Sequence, residues 1–296
     1  MRSKPNPDLL SRVLNSTGQF RGKTRLADFL GRLTYSWRVG RGTFLLASGE
    51  TVTVDLRDRI QRLMWGAAYE PQVRSCLAAL LRPGDTFVDI GAHIGFFSMI
   101  ASSLVGPRGK VYAFEANSTL FQNLYSNASR YPWMVPYLLA VWNKSGSVAF
   151  SNPQQAGELG WGKLASVRDD GHIESVEAVS LDAWHESVGS PAIRLIKIDA
   201  EGSEPFILEG AHWVISSAHP YLIIELNDEL LRGVGRTREI VAHTLRDQGY
   251  RIFPLGLKSL DESRDLIDPL SFEILCVPSD RVEEAASVLP GLRTKY

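Results

Sequence analysis

Cysteine is nearly absent from this chain. Cys76 and Cys276 are the only two in 296 residues, far apart and without metal-ligand spacing, which excludes a disulfide scaffold and a thiolate metal cluster. Both read as buried thiols of a reducing compartment. The six histidines show no His-x-His or His-x-x-x-His spacing, which argues against zinc. No apolar run approaches the ~20 residues of a membrane span, and the first residues lack the apolar core of a signal peptide. These absences predict a soluble, cytoplasmic protein without a membrane span. Repeats and low-complexity tracts are missing too. Net charge is small, with 32 basic and 33 acidic residues leaving a formal −1. No basic–aromatic interleaving marks a nucleic-acid surface, so no nucleic-acid partner is expected.

The neutral total hides an asymmetry. Residues 1–42 hold nine basic side chains against Asp8 and Asp28, so the remainder is acidic. Such an arm suits an anionic partner, a membrane surface or the acidic body of its own protein, and a homo-oligomer could form through it. Leu26, Phe29, Leu30, Leu33 and Trp37 fall at helical spacing, which predicts an amphipathic helix packed by that stripe. Residues 43–56 alternate around Ser48-Gly49 as a hairpin, and 57–82 read as helix broken near Gly66 and Pro71. Pro83-Gly84-Asp85 then opens a main domain. We therefore expect an arm, hairpin and cap over 1–82 and a cofactor-binding domain over 83–296.

From residue 86 onward, short apolar runs alternate with helical segments. Runs at 86–90, 111–114, 135–139, 193–198, 221–226, 251–254 and 272–277 read as strands. Segments 95–104, 118–129, 181–188, 204–210 and 236–248 read as helices. That alternation predicts an α/β fold with a mostly parallel sheet covered on both faces. A polar insert at 151–175 interrupts it, and 148–150 and 176–179 are expected to pair across the insert.

The most informative stretch is TFVDIGAHIG, residues 86–95. An apolar strand ends at Asp89 and turns through Gly91 and Gly95 into a new apolar run, as a nucleotide-binding loop does. The dinucleotide pattern G-x-G-x-x-G is not met, because Phe96 and Phe97 stand where a third glycine would be sought. An acid before the turn suits a cationic ligand better than a pyrophosphate. S-adenosylmethionine (SAM) carries a sulfonium and a free amino group and has no phosphate. Glu115 ends the next strand, 24 residues after Gly91, where a carboxylate can accept from both ribose hydroxyls. Ligands of such sheets lie outside the carboxyl ends of the strands. The expected cofactor contacts are therefore Asp89, Gly91, Ala92, His93, Gly95, Glu115, Ala116, Asn117, Ala140, Val141 and Asp199.

Acidic residues also crowd the later strand ends, at Asp199, Glu201, Glu204, Glu225 and Asp228. Crowded carboxylates repel unless they share a cation or a proton. The order of motifs here resembles the FkbM-type SAM-dependent methyltransferases. It rests on Tyr69-Glu70-Pro71, Pro83-Gly84-Asp85, the 88–95 loop, Phe114-Glu115-Ala116-Asn117, Ser180-Leu181-Asp182, 197–204 (KIDAEGSE), 208–211 and Ile223-Ile224-Glu225. The 197–204 block is the specific part. His93 stands where the family pattern has asparagine. The resemblance implies a Rossmann-like class I methyltransferase fold, with a seven-stranded sheet whose last strand is antiparallel. It further implies O-methylation of a sugar, glycoside or other natural-product hydroxyl.

Methyl transfer to an alcohol needs an aligned nucleophile and a base. Asp199 is the expected base, with Glu201, Lys197 and His93 as further catalytic candidates. If the strand stays extended, 197, 199 and 201 share a face, and Lys197 and Glu201 could simply pair. Magnesium held by Asp199, Glu225 and Asn227 is the metal-dependent variant. Rival readings are a NAD-dependent oxidoreductase, a SAM-dependent N-methyltransferase and a non-catalytic SAM-binding protein. The acceptor, a small molecule or saccharide, is expected under 1–42, the hairpin and the insert with Trp161, Arg168 and His172.

Overall fold

The strand Thr86–Ile90 (β3) is buried along its whole length and anchors the molecule. This computed structural model describes residues 7–37, 40–46, 51–152, 163–164, 172–255, 273–289 and 292. Trp161 and Arg168 lie outside them, as do the hairpin turn and the side chains of Trp37 and His172.

Before β3 come the helices Pro7–Ser16 (α1) and Lys23–Trp37 (α2), the strands Arg41–Leu45 (β1) and Thr51–Asp55 (β2), and the helices Arg59–Trp65 (α3) and Pro71–Leu80 (α4). β1 and β2 pair antiparallel as expected, with Phe44 opposite Val52. After β3 the chain runs through Phe96–Val105 (α5), Lys110–Glu115 (β4), Ser118–Ala128 (α6) and Met134–Leu138 (β5). A smaller sheet follows, built from Ala140–Trp142 (β6), Gly146–Asn152 (β7), Lys163–Leu164 (β8) and His172–Ser180 (β9). The expected pairing across the insert is present, with Val148 opposite Val176. The second half contains Leu181–Ser187 (α7), Leu195–Ile198 (β10), Glu204–Glu209 (α8), His212–Ala218 (α9), Tyr221–Glu225 (β11) and Asp228–Gly233 (α10). Arg238–Asp247 (α11), Tyr250–Pro254 (β12), Glu273–Pro278 (β13) and Val282–Val288 (α12) complete it.

The main sheet has seven strands in the order β12-β13-β11-β10-β3-β4-β5. β13 runs antiparallel between β11 and β12, while β11, β10, β3, β4 and β5 are mutually parallel. This is the Rossmann-like class I arrangement. Strand alternation divides the core. Phe87 points with Met99, Leu77 and the N-terminal Leu14 and Phe44 to one face, and Val88 and Ile90 point with Ile196, Val214 and Val241 to the other. Strand order reverses between β3 and β10, and a crevice opens at that point beyond the carboxyl ends.

One expectation for the arm holds only in part, since Leu30 of the stripe packs on the core. α2 is a helix, but Phe29 is 58% exposed and Leu26 39% exposed, whereas Ala27 and Thr34 are buried. The inward face is set by Arg62 of α3, whose guanidinium reaches Asp28 at 2.7 Å and the carbonyls of Leu56 and Arg57 at 2.8 Å. Among the described residues, no helix is long and apolar enough to cross a membrane.

Candidate active site

The loop after β3 is shaped by a close backbone approach. Gly91 has φ of 80° and lies against Asp199, so that a Cβ there would sit 1.7 Å from the Asp199 carbonyl oxygen. Only glycine lets the ends of β3 and β10 meet in this way. The amides of Gly91 and Ala92 donate to the Phe114 carbonyl at 3.0 and 2.8 Å, which ties the loop to β4. His93 follows at φ of 55°, a left-handed conformation rare for a residue with a side chain. Its amide donates to Glu115 Oε2 at 2.8 Å, and the Asn117 amide donates to Glu115 Oε1 at 2.7 Å. Glu115 is thus held at the carboxyl end of β4 with acceptor capacity left over. Burial raises its pKa to about 7, against the lowering effect of those two N–H groups.

A cavity of about 290 Å³ joins this loop to the ends of β10 and β11. Gly91, Ala92, His93, Glu115, Ala116, Asn117, Ala140 and Val141 all line it, with Asp199 and Glu201 opposite. Two of the expected cofactor contacts lie elsewhere. Asp89 faces α5 beneath the loop, where Ser98 Oγ donates to it at 2.5 Å. It shares a sheet face with Lys197 but is buried and does not line the cavity. Gly95 caps α5 at φ of 84°, with Leu124 and Met134 where a Cβ would stand. Both build the loop without lining the cavity.

At the β10 edge the strand ends at Ile198, and the chain turns through Glu201 (φ 48°) and Gly202 (φ 94°). The alternation that would place 197, 199 and 201 on one face is therefore lost. Lys197 Nζ binds Asp199 Oδ2 at 2.6 Å instead of pairing with Glu201, and lies 4.9 Å over the Phe97 ring. Burial works against the Lys197 charge, but Asp199, Glu70 and Asp89 outweigh it and raise its pKa. Burial likewise works against ionised Asp199, but Lys197 and a hydrogen bond from Glu225 outweigh it and hold Asp199 low. The Asp199 charge, burial and that same bond push Glu225 well up, so Glu225 carries the proton it donates. Glu201 is raised to about 8 by burial and by Asp199.

Glu204 accepts from the amides of Ala200 and Gly202 at 3.0 and 3.2 Å and so fixes the turn. Asp199, Glu201 and Glu225 each bring an oxygen to within 4.8 Å of the others. Asn227 lines the same cavity, and its Oδ1 caps α10 by accepting from Glu229 and Leu230 at 3.0 and 3.3 Å.

The ring nitrogens of His93 are buried without hydrogen-bond partners, and burial lowers its pKa to about 4, leaving the imidazole neutral at pH 7. Glu70 is a site residue that sequence reasoning left without a role. It stands at the N-terminus of α4 at φ of 36° without capping the helix, and lines the cavity beside Tyr69. Burial raises it to about 8. Its sequence signal was its place in the Tyr69-Glu70-Pro71 motif.

A glycine turn, a carboxylate at the end of the next strand and an acidic cluster gather around one switch point. The FkbM methyltransferase domain model matches residues 89–252, and the chain belongs to that family. Among solved structures it is similar to the methyltransferase FkbM of Methylobacillus flagellatus KT, with 16% identity over 84% of this chain and a TM-score of 0.42. The chain spans 58% of the length of that protein. It is also similar to the fibrillarin of Aeropyrum pernix solved with bound S-adenosyl-L-methionine, at 14% identity, 80% of this chain, 83% of that one and a TM-score of 0.42. An rRNA methylase of Streptococcus thermophilus follows at 15% identity, 70% of this chain, 93% of that one and a TM-score of 0.39. No curated protein sequence matches the chain.

Proposed function

We propose that the chain transfers a methyl group from SAM to a hydroxyl of a sugar, glycoside or other natural product. The observation that carries this reading is the Gly91–Asp199 contact, which sets the Glu115 loop and the Lys197–Asp199 pair in one cavity. Glu115 would hold the ribose hydroxyls, and the 91–93 loop would carry the amino-acid end of the cofactor. When bound, SAM supplies an electrophilic methyl on a sulfonium. The cationic side chains lining this cavity are Arg59 and Lys197, and Lys197 is already engaged by Asp199. That is a poor site for a pyrophosphate, which disfavours the nicotinamide reading.

In the proposed mechanism Asp199 accepts the hydrogen bond of the acceptor hydroxyl and turns its lone pair toward the methyl. Lys197 keeps Asp199 ionised, and protonated Glu225 steadies its second oxygen. A weak base suffices, because the hydroxyl becomes strongly acidic as the carbon–oxygen bond forms. Neutral His93 and Glu201 flank the acceptor, and either can relay the proton to water. Lys197 already supplies the positive charge that a magnesium ion would bring to Asp199, so transfer is expected to survive chelation.

In this scheme 83–296 binds the cofactor. The segment 1–82 caps the acceptor side through Arg59, Met64, Tyr69 and Glu70, which line the cavity. The test is transfer of labelled methyl from SAM to a panel of saccharides and glycosides, with and without a chelator. Methylation of a hydroxyl that Asp199→Asn abolishes supports the reading. Turnover with nicotinamide cofactors, or label on nitrogen alone, overturns it.

A further inference from the structure

The outer face of the N-terminal arm is apolar and basic at once. On α1, Leu9 and Val13 are 60% and 53% exposed, with exposed Arg12 between them. On α2, exposed Arg25, Leu26, Phe29 and Arg32 repeat at helical spacing. Phe20 and Arg21 stand exposed in the connector. Exposed large apolar residues elsewhere in the described chain, such as Tyr125, Trp213 and Ile240, lie far apart in sequence and on different elements.

The inner faces are locked. Ser11 Oγ donates to the Trp65 carbonyl at 2.7 Å, Gln19 Nε2 to the Ala67 carbonyl at 2.9 Å, and Lys23 Nζ to the Thr17 carbonyl at 2.9 Å. The Ser11 and Gln19 bonds and the Arg62–Asp28 pair hold both helices on the layer of β1 and α3, and the Lys23 bond ties α2 to the connector. The arm cannot roll over to bury its outer residues, so that surface is presented to something else.

We propose that this face docks on an anionic phospholipid surface. Leu9, Val13, Phe20, Leu26 and Phe29 enter the boundary between headgroups and acyl chains, and Arg12, Arg21 and Arg25 meet the lipid phosphates, while Arg32 stays paired with Asp28. Charge selects a bilayer over a second copy of the chain. An isologous arm-to-arm contact would set these arginines against their own copies. α2 rests on α3, whose Arg59 and Met64 line the cavity, so docking would hold the acceptor side one helix away from the lipid.

The experiment is flotation of the full chain with vesicles of phosphatidylcholine alone or with about 30% phosphatidylglycerol, at low and high salt. Binding is expected only to the anionic vesicles and is expected to weaken with salt. The double variants R21E/R25E and L26S/F29S should each lower partitioning roughly 10-fold or more, with circular dichroism unchanged. These residues face solvent, so two independent variants guard against a folding failure in either one. Absence of flotation, or equal flotation with neutral vesicles, overturns the proposal. A concentration-dependent dimer that L26S/F29S dissociates, without flotation, assigns the face to a second copy instead and also overturns it.

Discussion

At the amino rim of the seven-stranded sheet, Arg194 is shared between the nearby carboxylates of Glu284 and Asp85 and lies 4.9 Å over the Tyr221 ring. Glu284 is lowered by its bond to Arg194, as in an ordinary surface pair. At the carboxyl rim, a few residues along the same strands, Lys197 faces Asp199, Glu70, Glu201 and Glu225, and three of those four acids are raised. The first rim sets Arg194 and Arg281 against Glu284 and Asp85, so its charges are matched by partners from its own chain. The second has more acid than base, in a cavity, with left-handed backbone at Glu70, His93 and Glu201. Charge imbalance combined with local strain marks a rim built for a ligand, and matched charge marks one built for the fold.

Substitutions can sharpen that contrast. The largest effect is expected from Asp199→Asn, which should lower methyl transfer by about 10²–10⁴-fold while binding of S-adenosylhomocysteine, read by calorimetry, stays within a few-fold. Next is Lys197→Met. It leaves Asp199 buried beside raised acids without its countercharge and should cost about 3–5 kcal/mol of stability in urea unfolding. A cost under about 1 kcal/mol there would make the two rims equivalent.

The third prediction concerns pH. Glu115 and Glu204 are raised to about 7, and Glu70 and Glu201 to about 8, all mainly by burial. A carboxyl with a raised folded pKa binds more protons folded than unfolded. Its contribution is complete below the unfolded value and is lost as pH climbs through the folded one. The melting temperature of the ligand-free chain should therefore rise as pH falls from about 8.5 to about 6.5, and Glu201→Gln should flatten that slope. Neutral His93 opposes this trend only at lower pH, where the unfolded chain takes up a proton that the folded chain refuses. The smallest effect belongs to the amino rim. Glu284→Gln should cost about 1 kcal/mol or less and leave transfer unchanged, because Glu284 is half exposed and remote from the cavity.

Much of the sheet was legible in the sequence because buried parallel strands are continuous apolar runs. The expected strand at 86–90 coincides with β3, and α6 begins at the expected residue 118, where the structure adds Asn117 as its cap. The short helices α7 and α8 were legible as 181–188 and 204–210, but α9 was not. α9 has seven residues and no local side-chain cap, since its first amides are held by Asp182 from α7 at 2.9 Å. Periodicity announced the stripe on α2 but not which way it faces, a choice made by Asp28 and the distant Arg62. In the site, the carboxylates could be read from strand ends. Their pairing could not, because β10 stops at Ile198 and the turn redirects Glu201. Glu70 was hidden for a similar reason, since only tertiary packing brings α4 to the cavity.

The central claim is that the acid-rich rim between β3 and β10 cradles SAM with its methyl beside Asp199. A structure of the complex with S-adenosylhomocysteine tests it most directly. The account predicts ribose hydroxyls within hydrogen-bonding distance of Glu115 and the thioether sulfur turned toward Asp199. A nucleoside bound away from Glu115, or a sulfur facing away from Asp199, would contradict it.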